Sequence, residues 1–174
     1  MSKEFTNSES SKLLSNANLL KKYHANVVYD YTEYPTKGNW QESFKSDSYK
    51  NALCDWFPKN KGKPVLFYVH TPFCEQLCNF CLCSKEITKD YSKVKNYLYD
   101  YLAKEMDMLE DHLSKNNISF NYKEIYLGGG SPTYYKRDEF KYLISRLRNL
   151  IDFKNLGDFT IEVDPRRVTE ETLL

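Results

Sequence analysis

The chain has 174 residues, which is enough for one ordinary domain with a hydrophobic core. Its 25 basic and 24 acidic residues leave a net charge of +1, which argues against a basic surface for nucleic acid and against an acidic disordered tail. The mean hydropathy is −0.68, and every apolar run is far shorter than the roughly 20 residues of a membrane-spanning helix. We therefore expect binding to neither nucleic acid nor membrane.

Residues 1–62 are interpreted as an N-terminal arm, with helices over residues 11–23 and 41–56 and an extended aromatic stretch between them. The opening sequence MSKEFTNSESSKLL has neither an apolar core nor a small-residue cleavage site, so no signal peptide is expected. We therefore expect a cytoplasmic location, where thiols stay reduced and clustered cysteines bind metal more often than they form disulfides.

Residues 63–174 are interpreted as the core domain, because strand and helix patterns alternate there. Short apolar runs predict strands over residues 65–69, 124–127 and 159–163. Amphipathic spacing predicts helices over residues 90–114 and 137–151, and a further helix that begins near Thr169. This order predicts an α/β fold with parallel strands and right-handed crossovers.

Each predicted strand ends in residues that a structural loop would not require. The first ends at a cysteine-rich segment, the second at Gly128-Gly129-Gly130-Ser131, and the third in the acidic Glu162-Val163-Asp164. Ligands of parallel α/β proteins lie at the carboxyl ends of the strands. We therefore expect these three junctions to converge on one site.

The cysteine-rich segment has the pattern Cys-x3-Cys-x2-Cys at Cys74, Cys78 and Cys81, followed closely by Cys83. Thiolates hold iron–sulfur clusters, and three ligands would leave one iron open to another molecule. A structural zinc site that uses all four thiols is the alternative, although zinc ligands usually come as two separated Cys-x2-Cys pairs. Uncommitted or disulfide-bonded thiols are a third alternative. Cys54, which is alone on a predicted helix, is interpreted as structural.

The glycine segment lacks both the Walker sequence and the Gly-x-Gly-x-x-Gly fingerprint, so a simple tight turn and a cradle for a polar ligand both stay open. Glu162 is predicted to face away from the apolar side of its strand. Its carboxylate could bind ribose hydroxyls or an amine, or it could be an ordinary solvated acid. His70 could contact the site or only fill the loop, whereas His24 and His112 are interpreted as surface residues.

Together, the segments YVHTPFCEQLCNFCLCS, YLGGGSPTYY and IEVDPR resemble the oxygen-independent coproporphyrinogen III oxidases, a branch of the radical S-adenosylmethionine (SAM) superfamily. The three segments occur in the family's order and spacing, and the resemblance covers about residues 25–174. Cys83 and the stretch from Tyr31 to Thr36 are typical of this branch. The related haem chaperones typically carry an aromatic residue in place of Cys83.

This resemblance implies a set of cofactor-binding residues. The expected ligands of a [4Fe–4S] cluster are Cys74, Cys78 and Cys81. The expected contacts of the SAM on the open iron are Tyr68, Gly129 and Glu162. The positions that match the surroundings of a second SAM are Phe80, Gly130 and Ser131. Cys83 matches a nearby cysteine that is not a ligand.

The resemblance also implies the reaction. A 5′-deoxyadenosyl radical would take hydrogen from a propionate of coproporphyrinogen III, and loss of CO₂ and an electron would leave a vinyl group. The product would be protoporphyrinogen IX, an intermediate of haem synthesis, and a reduced flavodoxin-type protein would supply electrons. The protein itself would bind and orient these molecules. The alternatives are a haem-chaperone-like or cluster-binding module without turnover, and a zinc-stabilised fragment.

The sequence departs from the family pattern at Asp30, Thr71 and Ser131, where arginine, an aliphatic residue and threonine are usual. By resemblance the core is the N-terminal half of a partial (β/α)6 TIM-like barrel, with about three parallel strands and a helical arm before it. We expect the isolated chain to be marginally stable and inactive unless a second polypeptide completes the barrel, because an open sheet edge leaves backbone groups unpaired.

Overall fold

The computed structural model describes Asn39 and residues 41–170 of the chain. The predicted helix over residues 11–23, the stretch from Tyr31 to Thr36, His24 and Asp30 lie outside these residues, and so does any continuation of the helix predicted from Thr169. Internal contacts divide the chain into residues 1–46 and a unit that begins at Asp47. The predicted boundary after residue 62 stays a prediction.

Short helices and strands alternate along most of the described chain. In chain order they are α1 (Ser46–Asn60), β1 (Pro64–Thr71), β2 (Phe73–Cys74), β3 (Glu86–Ile87), α2 (Tyr91–Asn96), α3 (Ala103–Lys115), β4 (Asn121–Gly129), α4 (Arg137–Leu150) and β5 (Asp158–Ile161). A π-helical turn, Tyr97–Leu102, joins α2 to α3, and 3₁₀ turns occur at Pro132–Tyr134 and Phe153–Asn155. No helix of the described residues is long and apolar enough to cross a membrane.

The central sheet has the strand order β1-β4-β5, and both pairings are parallel. The register pairs Thr71 with Gly129 and Leu127 with Ile161, so the carboxyl ends of all three strands lie at one edge of the sheet. Along the chain, helices lie between the three strands of this sheet, and these crossovers let the strands run parallel. The predicted α/β fold with about three parallel strands is confirmed.

The hydrophobic core joins the sheet to the helices. Leu127 of β4 and Leu143 and Leu147 of α4 are each fully buried. Each buried leucine contributes about 1.5–3 kcal/mol relative to an exposed one. The side chains of α2, α3 and the intervening turn complete this core through Val94, Leu98, Leu102 and Met106. The core therefore holds the strands in the register that aligns their carboxyl ends.

The π-helical turn interrupts what the sequence predicts as one continuous helix. The buried residues Val94, Leu98, Leu102 and Met106 recur every four positions. A regular helix has about 3.6 residues per turn, so residues four apart rotate steadily away from a common face. A turn with i→i+5 bonding is wider and reverses that rotation. The π-helical turn thus keeps all four side chains in the core.

Several predicted boundaries are wrong. The helix predicted over residues 41–56 spans Ser46–Asn60 and includes Pro58, which removes one hydrogen bond only in the last turn. β4 is not stopped by the glycines, since it runs through Gly128 and Gly129, which pair with His70 and Thr71. The third strand ends at Ile161 rather than residue 163.

Candidate functional site at the carboxyl edge of the sheet

The cysteine-rich loop begins where β1 ends and is closed by a short ladder that the sequence does not predict. Strand β2 pairs with β3 in parallel, with Phe73 opposite Glu86 and Cys74 opposite Ile87. The N–H of Thr88 donates to the carbonyl of Cys74 at 2.9 Å. These backbone bonds fix both ends of the loop, so its sulfur atoms stay beside the sheet edge.

The four thiols of this loop lie close enough to influence one another. Burial raises the pKa of the Cys74 thiol, and the neighbouring Cys81 and Cys78 raise it further. Burial also raises the pKa of the Cys83 thiol, helped by its contact with Cys81. Placing several thiolates together in this way costs energy unless a metal centre neutralises them.

A zinc ion and an iron–sulfur cluster need different spacings of the thiols. Tetrahedral zinc at about 2.3 Å from each sulfur would bring its ligands into tight mutual contact. No group of three or more His, Cys, Asp or Glu side chains within residues 41–170 is arranged to hold one metal ion. A four-iron cluster needs wider spacing, because each thiolate binds a different iron, and three thiols on one loop can provide it.

The glycine segment packs directly against the loop that follows β1. The N–H of Gly130 donates to the carbonyl of Thr71 at 2.7 Å, and the N–H of Ser131 donates to the carbonyl of Phe73 at 2.9 Å. A Cβ on Gly130 would lie 2.7 Å from the Phe73 oxygen and 2.8 Å from the Thr71 oxygen. Only glycine permits this approach, so Gly130 is required for the close packing of the two segments.

Gly129 adopts a left-handed backbone conformation, with φ of 108°. A Cβ there would lie 2.5 Å from the imidazole carbon Cε1 of His70. The ring of His70 is itself held between the Tyr68 hydroxyl and the carbonyl of Ser84, each at 2.9 Å. His70 therefore fills the space between β1, the cysteine-rich loop and the glycine segment, and it positions its neighbour Tyr68.

Glu162 points into this edge of the sheet rather than into solvent. One carboxylate oxygen accepts a hydrogen bond from the N–H of Gly129 at 3.0 Å, and the other accepts one from the Tyr126 hydroxyl at 2.8 Å. An ionised carboxylate has about four acceptor positions, so about two stay available for hydroxyl or amine groups. Burial, Glu162 and Cys83 together raise the pKa of Tyr68, which keeps its hydroxyl protonated.

The segment after Glu162 also reaches the cysteine-rich loop. Arg166 donates to the sulfur of Cys78 at 3.3 Å, and Arg167 forms an ion pair with Glu75. Asp164 holds Arg166 by two side-chain bonds of 2.8 Å. Neither arginine is among the site residues predicted from the sequence. Arg166 closes the segment IEVDPR that carries the family resemblance, but 88 residues separate it from the thiol it contacts, so the contact itself has no local signal.

The three predicted junctions therefore meet at one edge of the sheet. Phe80 lies on the cysteine-rich loop with 87% of its surface exposed. Ser131 helps line a cavity of about 160 Å³ beside Cys74 and Asp164. Ligand pockets usually have about 300–1,000 Å³, so this cavity alone does not enclose a nucleoside. The described residues thus form an open platform rather than a closed pocket.

One residue outside this edge, His112, differs from its sequence interpretation, whereas Cys54 has a structural contact as expected. His112 is half-buried rather than on the surface, since its Nε2 lies 3.1 Å from the carbonyl of Lys50 and 3.6 Å from the sulfur of Cys54. Its Nδ1 lies 3.3 Å from the amide nitrogen of Asn116 and therefore accepts, which leaves Nε2 as the donor. Cys54 is an acceptor in a contact between α1 and α3.

Comparison with known proteins shows which families share this arrangement. The sequence profile of the radical SAM superfamily matches residues 68–174. The oxygen-independent coproporphyrinogen III oxidase of Pseudomonas aeruginosa is 34% identical over 160 residues, which are 90% of this chain and 33% of that protein. The protein of the same name from Mannheimia haemolytica is 32% identical over 155 residues, which are 89% of this chain and 99% of that relative.

A solved structure shares the fold. Coproporphyrinogen III oxidase from Escherichia coli, a radical SAM enzyme, matches with a TM-score of 0.60 and 30% identity, over 87% of this chain and 31% of that one. The chain thus spans about a third of the length of that enzyme and of the Pseudomonas relative.

Proposed function

Because the chain belongs to the radical SAM superfamily, and within it to the oxygen-independent coproporphyrinogen III oxidase family, we propose that it provides the cluster- and SAM-binding part of such an oxidase. The proposed reaction is the oxidative decarboxylation of coproporphyrinogen III propionates to vinyl groups, which gives protoporphyrinogen IX. The relatives' names support the choice of substrate, and the grouping of thiols, glycines and Glu162 at one edge of the sheet supports cofactor binding.

The observation that carries this proposal is the connection of all three strand ends by hydrogen bonds. The hydrogen bond from Gly129 to Glu162 joins the second and third strand ends, and the bond from Gly130 to Thr71 joins the second to the first. A polar platform is thereby built beside three thiols. A structural zinc site would need the thiols alone, whereas a nucleoside ligand also needs carboxylate and backbone groups at the same edge.

We assign Cys74, Cys78 and Cys81 as the ligands of a [4Fe–4S] cluster. When bound, the cluster and SAM would supply a 5′-deoxyadenosyl radical that takes hydrogen from the substrate. The protein keeps the three sulfurs on a loop whose ends are fixed by the ladder between β2 and β3. Cys83 is exposed, whereas the other three residues are half-buried, which suits a neighbour of the cluster better than a ligand.

We assign Tyr68, Gly129 and Glu162 to the SAM on the open iron. Glu162 keeps free acceptor positions for hydroxyls or the amine, while its bonds to Gly129 and Tyr126 fix its direction. His70 holds the Tyr68 hydroxyl in place through a 2.9 Å contact. Phe80, Gly130 and Ser131 are assigned to the surroundings of a second SAM.

The remaining molecules follow from the proposed reaction. Coproporphyrinogen III would be the substrate, and a reduced flavodoxin-type protein in the cytoplasm would supply the electrons. The open platform at the sheet edge leaves room for a further polypeptide segment to cover the substrate. A cluster-binding module without turnover is the second candidate function, favoured by the small volume of the cavity at this edge.

Anaerobic reconstitution with iron and sulfide tests these assignments. We expect a protein that holds about four irons per chain and, with SAM and dithionite, releases 5′-deoxyadenosine. Cluster binding without 5′-deoxyadenosine would support the module without turnover. Zinc held by all four thiols, with no iron uptake, would contradict both candidate functions.

A further inference from the structure

Arg166 makes a contact that the proposed reaction does not explain. Its Nη2 donates to the sulfur of Cys78 at 3.3 Å, across 88 residues of sequence. Cys78 is the middle thiol of the three assigned cluster ligands. A sulfur atom that is bound to iron keeps lone pairs, so the same N–H can donate to it in the loaded protein.

The direction of this guanidinium is set by Asp164. Nε and Nη2 each donate to one carboxylate oxygen at 2.8 Å, and the backbone N–H of Arg166 donates to the same carboxylate at 3.1 Å. Arg166 holds the pKa of Asp164 down to about 2, so this carboxylate stays ionised. The side chain of Asp164 is only 16% exposed, which distinguishes the pair from a freely moving surface ion pair.

A guanidinium that donates to a cluster sulfur raises the reduction potential of the cluster. A cluster held by thiolates becomes more negative when it accepts an electron, and hydrogen bonds to its sulfurs stabilise that reduced state. Arginine is always protonated, so the effect does not depend on pH near neutrality. A lysine at the same place would keep the charge but could not bond both carboxylate oxygens and the sulfur through one planar group.

We propose that Arg166 is a positioning residue for the cluster: it holds the Cys78 sulfur by a hydrogen bond and thereby raises the reduction potential of a cluster bound there. This inference rests on the proposed function, since it requires a cluster on Cys78. It adds a role for the segment after the third strand, which Asp164 orients and which is separate from SAM binding by Glu162.

The test measures the reduction potential of the reconstituted chain by an EPR-monitored titration with dithionite. The variants are Arg166→Gln, Arg166→Lys and, as the matched control, Arg167→Gln. Arg167 is the neighbouring residue with the same charge, but its partner is Glu75 and not a sulfur. The side chain of Arg166 is 49% exposed, so we expect each apoprotein to keep the urea midpoint and circular dichroism of the wild type.

We expect both Arg166 variants to have a lower potential than the wild type, with a clearly smaller shift in Arg167→Gln. A folded Arg166→Gln variant that retains less iron than Arg167→Gln would also support the inference. Equal potentials in the wild type and Arg166→Gln would overturn it, and so would equal shifts in Arg166→Gln and Arg167→Gln. If Arg166→Lys has the reduction potential of the wild type, the hydrogen bond from the guanidinium is not the cause of the higher potential.

These results are distinguishable from failure of the proposed function. A wild-type chain that takes up no iron–sulfur cluster contradicts the proposed function itself. A wild-type chain that takes up the cluster and releases 5′-deoxyadenosine, but has the same potential as Arg166→Gln, contradicts only the role of Arg166.

Discussion

Gly130 and Thr71 are joined by a 2.7 Å backbone hydrogen bond that ties the end of β4 to the end of β1. We expect Gly130→Ala to break this connection, because its Cβ would lie 2.7–2.8 Å from two carbonyl oxygens. Such overpacking costs about 1–3 kcal/mol of the free energy of unfolding. Urea denaturation measures this loss, and it should be accompanied by lower iron uptake.

Gly157→Ala is the matched control for that change. A Cβ on Gly157 would meet only the Lys123 oxygen at 3.5 Å, which is an ordinary contact, and its backbone is not left-handed. We expect its stability to be unchanged or higher by up to about 1 kcal/mol, because alanine restricts the unfolded chain. Equal losses in the two variants would mean that the close approach at Gly130 has no special importance.

Glu162→Gln tests the link between the third strand and SAM. The amide keeps one acceptor oxygen but loses the charge, and hydrogen bonds to charged groups contribute about 1.5–3 kcal/mol. We therefore expect the affinity of the reconstituted protein for SAM to fall by about tenfold or more. Isothermal titration calorimetry under anaerobic conditions measures this affinity. Glu124→Gln, a change of an exposed acid on β4, should leave it unaltered, and an unaltered Glu162→Gln would contradict the assignment.

Our proposal assigns Cys74, Cys78 and Cys81 as cluster ligands and Cys83 as a neighbouring thiol that is not a ligand. We expect Cys78→Ser to lose most of the iron and sulfide that the wild type takes up, because serine is a poor ligand for these clusters. Cys83→Ser should keep its iron content, since Cys83 is not assigned as a ligand. Iron and sulfide analysis after reconstitution measures both. Loss of the metal in both variants alike would favour a site built from all four thiols.

Tyr91 joins the start of α2 to the start of α4 through its hydroxyl. The hydroxyl donates to the buried carboxylate of Glu139 at 2.8 Å and accepts from the N–H of Lys136 at 2.7 Å. We expect Tyr91→Phe to lower the free energy of unfolding by about 1–3 kcal/mol, because both partners lose their bond. The hydroxyl of Tyr135 is buried and has no partner among the described residues, so Tyr135→Phe should cost little. Urea midpoints compare the two, and a larger loss in Tyr135→Phe would contradict this explanation.

Two buried tyrosines predict a loss of stability in alkali. Burial raises the pKa of Tyr122 and of Tyr135, while in the unfolded chain both ionise near pH 10. Above about pH 10 the unfolded state therefore binds fewer protons than the folded state, and the free energy of unfolding falls. The slope from each tyrosine is about 0.7 kcal/mol per pH unit at pH 10 and approaches about 1.4 kcal/mol per pH unit above pH 11. Urea denaturation from pH 9 to 11 measures the slope, and Tyr135→Phe should reduce it by one such increment.

The sequence predicts the convergence of the site because chemistry and topology agree. Alternation of strands with helices favours parallel pairing, which brings the residues after each strand to one edge. Gly129 and Glu162, which are 33 residues apart, are joined for this reason. Their assignment as SAM contacts rests on the family resemblance and stays a prediction.

Other features have no local signal in the sequence. The ladder between β2 and β3 is only two residues long, which is too short for a periodic pattern. The contact of Arg166 with Cys78 depends on how the last strand places its following loop. The π-helical turn is not predicted, because helix prediction assumes a constant number of residues per turn. Its sign in the sequence is a set of apolar residues that recur every four positions.

The short ladder between β2 and β3 also determines which atoms anchor the cysteine-rich loop. It holds the loop by main-chain atoms at Cys74 and Thr88, so the side chains between them do not decide where the loop is attached. Substitutions at the exposed Leu77 and Leu82 can therefore accumulate without moving the anchor points. This segment can be exchanged as a unit while the supporting sheet and Arg166 are left unchanged, which would separate the contribution of the loop from that of the arginine.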